Sequence, residues 1–166
     1  MNPPGLSVLS RSPSVCIRCG TPLDSEFFDS SAIEAAPGPG EEVVLAKFEL
    51  PPQYCGVLEF VAQFTDLQAI NPAQIETPGL EWLLLSNNQP LYPYLGLRFI
   101  LNPWGVGSFP IALRLNDGAT VEFIVRGTSD APAPGAANHI ARVGGRIIGR
   151  YWYNPEFGHA GRNCNS

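Results

Sequence analysis

Residues 111–126 read Ile-Ala-Leu-Arg-Leu-Asn-Asp-Gly-Ala-Thr-Val-Glu-Phe-Ile-Val-Arg. Apolar and polar side chains alternate on both sides of the Asn-Asp-Gly segment, which is the pattern of half-buried β-strands. Asp-Gly between two alternating runs is a strong short-range signal for a β-hairpin. The stretch therefore predicts two antiparallel strands, residues 111–115 and 120–126, joined by a tight turn.

The same two-residue period occurs elsewhere in the chain. Residues 43–50 predict a strand with one face formed by Val44, Ala46, Phe48 and Leu50. Residues 56–65 predict another, with Leu58, Phe60, Ala62 and Phe64 inward and with Glu59, Gln63 and Thr65 outward. Residues 80–85 predict a short apolar strand closed by a turn at Ser-Asn-Asn. Residues 139–153 predict the last strand, whose three glycines indicate a bulge or the close approach of another backbone.

Composition limits the fold further. The chain has 166 residues, of which 17 are Gly and 17 are Pro, and this argues against long helices. It is 45% hydrophobic and 15% charged, and no apolar run reaches the roughly 20 residues of a membrane span. We therefore predict a soluble, all-β protein with an antiparallel β-sandwich of jelly-roll type, a small closed barrel being the alternative. The predicted parts are an extended, irregular N-terminal arm (1–42), the sandwich domain (43–153) and an irregular C-terminal tail (154–166).

Charge is unevenly distributed. The net charge of −5 argues against nucleic acid as a partner. Residues 1–81 carry −8 and residues 82–166 carry +3. This polarity favours contacts between copies or with an oppositely charged neighbour, unless the two halves simply differ by chance. The chain has one Lys and nine Arg, which is typical either of an interface or of a GC-rich genome.

Three arginines of the last predicted strand share one face because they are four residues apart: Arg142, Arg146 and Arg150. They form either an interface with an acidic neighbour or a solvated face. The chain also has aromatic residues that can anchor an interface, stack on sugars or complete the core, among them Tyr92, Tyr94, Trp104 and Trp152.

Residues suited to catalysis are scarce. The two histidines, His139 and His159, are not accompanied by the clustered ligands of a metal centre, so we predict neither an enzyme nor a cofactor. Cys16 and Cys19 have the spacing of half a zinc site, but the other cysteines, Cys55 and Cys164, are isolated. Zinc, disulfides and free thiols all stay open. The N-terminus lacks the pattern of a secretion signal, which predicts synthesis in a cytoplasm, with oxidation possible after release from the cell.

Four segments resemble small jelly-roll virion proteins of tailed bacteriophages. They are Glu-Leu-Pro-Pro-Gln-Tyr-Cys-Gly-Val-Leu-Glu-Phe (49–60), Leu-Leu-Leu-Ser-Asn-Asn-Gln-Pro (83–90), Leu-Asn-Asp-Gly-Ala-Thr-Val-Glu-Phe (115–123) and Ala-Arg-Val-Gly-Gly-Arg-Ile-Ile-Gly-Arg-Tyr-Trp (141–152). The resemblance covers residues 43–153. The resemblance does not explain the Cys-x-x-Cys pair formed by Cys16 and Cys19.

The resemblance implies a non-enzymatic structural protein of the virion, made in the host cytoplasm, that decorates or cements the capsid through its arm and loops. Its partners would be other virion proteins, such as major capsid or neck subunits, and copies of itself, with no nucleic acid and no membrane involved. The alternatives are a neck, collar or fibre-attachment protein and a carbohydrate- or receptor-binding β-sandwich module.

Overall fold

A computed structural model of the chain describes residues 22, 24–66, 79–91, 106–130, 133, 136 and 139–154. Within these residues the chain forms eight strands and no helix. The strands are β1 (Glu26–Ala35), β2 (Glu42–Glu49), β3 (Tyr54–Thr65), β4 (Leu80–Ser86), β5 (Gln89–Pro90), β6 (Val106–Leu115), β7 (Thr120–Gly127) and β8 (Arg142–Tyr153). The predicted all-β fold is confirmed. Across the described ranges, no helix could cross a membrane.

The strands form two four-stranded antiparallel sheets. The first sheet has the order β1-β8-β3-β6 and the second has the order β2-β7-β4-β5. Strands that follow one another along the chain therefore alternate between the sheets, except β4 and β5, which pair directly. This interleaved order of eight strands is that of a jelly roll, so the predicted β-sandwich class is confirmed.

The prediction of a hairpin at residues 111–126 is wrong in one respect. The turn exists, with the Ala119 amide donating to the Asn116 carbonyl oxygen at 2.9 Å, but the strands it joins do not pair with each other. Strand β6 pairs with β3 in the first sheet, and β7 lies between β2 and β4 in the second. The Asp-Gly turn reverses the direction of the chain. Contacts with the other strands decide which strand each arm of the turn pairs with.

The core lies between the two sheets. Trp82 and Phe123 of the second sheet are fully buried, as are Leu58 and Ile147 of the first. The sheets lie close together at Gly145 of β8, where a Cβ atom would lie 2.7 Å from Leu45 Cβ. For the glycine-rich last strand the sequence predicts a bulge or the close approach of another backbone, and such an approach is found at Gly149, where a Cβ atom would lie 2.2 Å from the Val57 carbonyl oxygen.

Two β-bulges change the faces that the sequence pattern predicts. In β2 the register shifts between Val44 and Ala46, so that Leu45 and Ala46 are both buried and Val44 is exposed. In β3 the register shifts between Leu58 and Phe60. Because one extra residue reverses the alternation, Phe60, Ala62 and Phe64 lie on the outside and Val61, Gln63 and Thr65 lie inside, opposite to the prediction.

The predicted arm of residues 1–42 contains part of the sandwich. Residues 26–35 form β1, which pairs with β8 over ten residues and places Phe28 in the core. The Pro-Gly-Pro-Gly segment at 37–40 is also attached, because the Gly40 amide donates to the Gly127 carbonyl oxygen at 2.9 Å. Period-two patterning is weak in β1, whose buried positions are few, so the sequence did not reveal it.

The turn predicted at residues 86–88 is confirmed. Asn87 and Asn88 have positive φ angles of 51° and 61°, which asparagine tolerates better than most residues. They connect β4 to the two-residue strand β5.

Candidate functional site

The solvent side of the first sheet carries both exposed apolar side chains and two ion pairs. Successive side chains of a strand point to opposite sides of the sheet, so the register assigns one set to the solvent side. We call this set the outer face: Phe27, Asp29, Ser31, Ile33 and Ala35 of β1; Arg142, Gly144, Arg146, Ile148, Arg150 and Trp152 of β8; Cys55, Val57, Glu59, Phe60, Ala62 and Phe64 of β3; and Pro110, Ala112 and Arg114 of β6. Phe27 is 72% exposed and Ile33 is 52% exposed.

The first ion pair of the outer face joins β8 to β1. Arg146 donates from Nε to Asp29 Oδ1 at 2.8 Å and from its second guanidinium nitrogen to Oδ2, so the contact is bidentate. The hydrogen bond from Arg146 lowers the pKa of Asp29, and the same bond raises the pKa of Arg146. Both side chains are about half exposed, which limits what the pair adds to stability.

The second ion pair joins β8 to β3. Arg150 Nε lies 3.1 Å from each carboxylate oxygen of Glu59, and both side chains are about three-quarters buried. Glu59 is the bulged residue of β3, so the bulge directs its carboxylate toward β8. The guanidinium carbon of Arg150 also lies 5.7 Å from the centre of the Phe27 ring, within reach of a cation–π interaction.

These two pairs join the acidic first half of the chain to its basic second half. Asp29 and Glu59 belong to the acidic first half of the chain, and their arginine partners belong to the basic second half. Glu42 and Arg126, on the second sheet, follow the same rule. The predicted stripe of arginines therefore meets acids of its own chain at Arg146 and Arg150. Arg142 is exposed and has no ion pair within the described part of the chain.

A groove crosses one end of the outer face. Its volume is about 400 Å³, and its lining includes Ile33 of β1, Gly144 of β8 and Phe64 of β3. These three residues are directly opposite one another in the sheet. Gly144 forms the floor, because a Cβ atom there would lie 3.1 Å from Ile33 Cγ1 and 3.2 Å from Phe64 Cβ. The absence of a side chain at residue 144 thus lets Ile33 and Phe64 approach each other over a buried backbone.

A second hollow lies at the opposite end. It has a volume of about 390 Å³ and is lined by Trp152, Phe60 and other residues of β3 and β6: Val57, Glu59, Pro110, Ile111, Ala112 and Arg114. An aromatic ring beside charged groups in a concavity can hold an apolar side chain, a cation or a sugar ring. Of the four aromatic residues singled out in the sequence, Trp152 is the one that the described structure places here.

Cys55 lies at the start of β3, paired in the ladder with Trp152. It is 1% exposed and disulfide-bonded, and the Asn154 side-chain amide donates to its sulfur at 3.4 Å. Its bonding partner lies outside the described residues. Of the alternatives considered for the cysteines, a disulfide is therefore the one seen at Cys55.

The other residues singled out from the sequence lie outside the described residues. They are Cys16, Cys19, Tyr92, Tyr94 and Trp104. In the described ranges no group of three or more His, Cys, Asp or Glu residues could hold a metal ion. Sequence reasoning missed Phe27, Ile33 and the Gly144 groove, because β1 was assigned to the arm and a groove depends on which strands are neighbours.

No family model matches the chain, and no curated protein matches it. Three solved structures are similar to it in part. The crystal structure of FlhE has a TM-score of 0.39 at 15% identity, covering 78% of this chain and 97% of that one. The structure of infectious bursal disease virus, Gt strain, has a TM-score of 0.37 at 9% identity, covering 87% and 44%. An exo-β-1,3-galactanase from Phanerochaete chrysosporium with galactose has a TM-score of 0.30 at 13% identity, covering 81% and 32%. Likenesses this distant carry no argument about function, so the chain is assigned to a fold, the β-sandwich, and to no family.

Proposed function

We propose that this chain is a non-enzymatic structural protein of a tailed-phage virion, which attaches to neighbouring subunits through the outer face of its first sheet. The observation that carries the proposal is the exposure of Phe27 and Ile33 on the same face of one sheet. Phe60 of β3 is also exposed on this face, and several large apolar side chains on one exposed surface can mark an interaction site. The jelly-roll order of the strands fits the resemblance from which this function is inferred.

The ion pairs of the outer face support an assembly role. Arg146 and Arg150 are already paired with acids of the same chain, so a partner need not supply counter-charges for them. Charges that are already paired within the chain can be covered by another protein at a lower desolvation cost than unpaired charges.

The disulfide at Cys55 supports a location outside a reducing compartment. A virion protein made in a host cytoplasm meets such conditions after release from the cell. The disulfide would then form on the finished particle or during lysis.

A carbohydrate- or receptor-binding module is the second candidate, and the Trp152 hollow is the observation that favours it. A glycan array with the intact chain tests this candidate. Binding that is lost on Trp152→Ala and retained on Phe27→Ser would favour the glycan function over the assembly function.

The test of the leading proposal is particle occupancy. Particles assembled without this chain are mixed with purified chain, separated, and analysed by quantitative mass spectrometry. We expect the wild-type chain to bind at a fixed stoichiometry and a Phe27→Ser, Ile33→Ser double variant to bind poorly. Val44→Ser, which removes an exposed apolar side chain from the second sheet, is the matched control and should bind normally. Equal occupancy by all three chains would contradict the proposal.

A further inference from the structure

The two solvent sides of the sandwich carry opposite net charges within the described residues. The outer face of the first sheet has four arginines and two acids, a net charge of +2: Arg114, Arg142, Arg146, Arg150, Asp29 and Glu59. The solvent side of the second sheet has four glutamates and two basic residues, a net charge of −2: Glu42, Glu49, Glu81, Glu122, Lys47 and Arg126. Because the whole chain carries −5, the outer face is a locally positive surface on an acidic protein.

Arg142, at one end of the outer face, is where this positive charge lacks a balancing acid. The other two arginines of β8 are each bound to an acid of the same chain. Arg142 is exposed and has no ion pair within the described part of the chain. In β1, Glu34 points to the opposite side of the sheet, because side chains alternate along a strand. Asp66, just beyond β3, accepts a hydrogen bond from the Ala141 amide at 3.0 Å.

The neighbours of Arg142 on the outer face are apolar. Arg142 is opposite Ala35 in the sheet, and the next outward row of β8 is flanked by Ile33 and Phe64. Ile33 is about half exposed. A protein that covers Ile33 therefore also excludes water from Arg142, and opposite charges attract more strongly where water is excluded. Covering the guanidinium without a counter-charge would instead be costly.

From these observations we infer that the partner of the outer face is an acidic protein surface, with a carboxylate that binds Arg142 and an apolar side chain that contacts Ile33. This inference rests on the proposed function, because it names the chemistry of the subunit that the outer face would bind. A guanidinium is suited to the contact, since its planar fork can donate two parallel hydrogen bonds to one carboxylate.

The second sheet does not offer the same partner an equivalent surface. Ile124 and Leu83 point to its solvent side and are opposite each other, yet they are 4% and 5% exposed. Val44, beside Ile124 on the edge strand β2, is the large apolar side chain that is exposed among the described residues of this side. The net charge of −2 would also repel an acidic surface. Charge thus selects which sheet faces the partner.

The first test measures binding to particles assembled without this chain. We expect Arg142→Gln to raise the dissociation constant at least about tenfold. Arg126→Gln is the matched control, because it neutralises an exposed arginine of the second sheet, and its effect should stay below about twofold. Raising the ionic strength should weaken the wild-type chain more than Arg142→Gln, which has already lost the charge pair. Thermal melts show that both variants are folded.

The second test identifies the acid by crosslinking. Lys47 is the single lysine of the chain, and it is bound to Glu49 and Glu122 on the second sheet. Arg142→Lys adds an amine to the outer face, keeps its charge and should restore most of the binding lost in Arg142→Gln. A carbodiimide activates carboxyl groups, which a nearby amine attacks to form an amide. In particles we expect an amide between residue 142 and an Asp or Glu of another virion protein, with Lys47 forming amides within the chain.

The outcomes separate this inference from the proposed function. Particle binding that is unchanged by Arg142→Gln and by salt, but lost in the Phe27→Ser, Ile33→Ser double variant, would overturn the acidic partner and leave the structural role standing. Amides that join residue 142 to a second, isotope-labelled copy of this chain would also overturn it, as would Arg142-dependent binding that yields no amide at residue 142. A wild-type chain that binds no particles would contradict the proposed function itself.

Discussion

Arg150 and Glu59 form a partly buried, bidentate ion pair between the two central strands of the first sheet, β8 and β3. Glu59 reaches Arg150 because it is the bulged residue of β3, and the same bulge turns Phe60 outward. The bulge thus shapes the outer face in two ways, by neutralising one arginine and by exposing one aromatic ring.

Replacing Glu59 by Gln should destabilise the fold by about 1–2 kcal/mol, because Arg150 then stays partly buried without its charged partner. Urea denaturation measures the change. Glu42→Gln is the matched control: it removes the acid from an Arg–Glu pair in which both side chains are about half exposed, and we expect a loss below about 0.5 kcal/mol. Similar losses in the two variants would contradict the importance assigned to burial.

Asp29 should titrate below its ordinary pKa of 3.8, since Arg146 stabilises the carboxylate. A pKa that is lower in the folded state adds stability above the unfolded pKa, and that stability is lost as the pH falls through the folded pKa. The Arg146–Asp29 pair therefore stops adding stability as the pH falls below about 4. An NMR titration of the Asp29 carboxyl group should show a midpoint that rises in Arg146→Gln. An unchanged midpoint would mean that the pair does not persist in solution.

Gly145 and Gly144 are neighbours in β8 and should respond differently to alanine. At Gly145 a Cβ atom would lie 2.7 Å from Leu45 Cβ and from a Phe123 ring carbon, so the sheets must move apart. We expect Gly145→Ala to cost about 1–3 kcal/mol of unfolding free energy. Gly144→Ala places its methyl group on the outer face, 3.1 Å or more from its neighbours, and should cost less. The reverse order, measured by urea denaturation, would contradict the assignment of the two faces.

Cys55→Ser should lower the free energy of unfolding by about 2–4 kcal/mol, which is typical of losing a disulfide. Reducing agent should destabilise the wild-type chain to a similar extent and leave the variant almost unchanged. Peptide mapping of the unreduced chain identifies the bonded partner among Cys16, Cys19 and Cys164. A wild-type stability that does not respond to reducing agent would contradict a structural disulfide at Cys55.

The sequence predicted the fold class better than the surface. Alternation in residues 43–50, 56–65 and 120–126 marks strands because burial between two sheets repeats every second residue. The alternation did not predict which face of a strand is buried after the bulges at Leu45 and Glu59, because a bulge leaves little trace in composition. It also missed β1, whose side chains are mostly exposed along an edge. The outer face depends on strand order, and strand order is a property of long-range pairing.

The proposed binding of other subunits to the outer face is tested most directly by hydroxyl-radical footprinting. The oxidation rates of Phe27 and Phe60 are compared between the isolated chain at low concentration and the assembled particle, with the exposed Tyr153 at the end of β8 as the reference. We predict strong protection of Phe27 and Phe60 in the particle, with Tyr153 much less affected. Oxidation of Phe27 at the same rate in both states would contradict the claim.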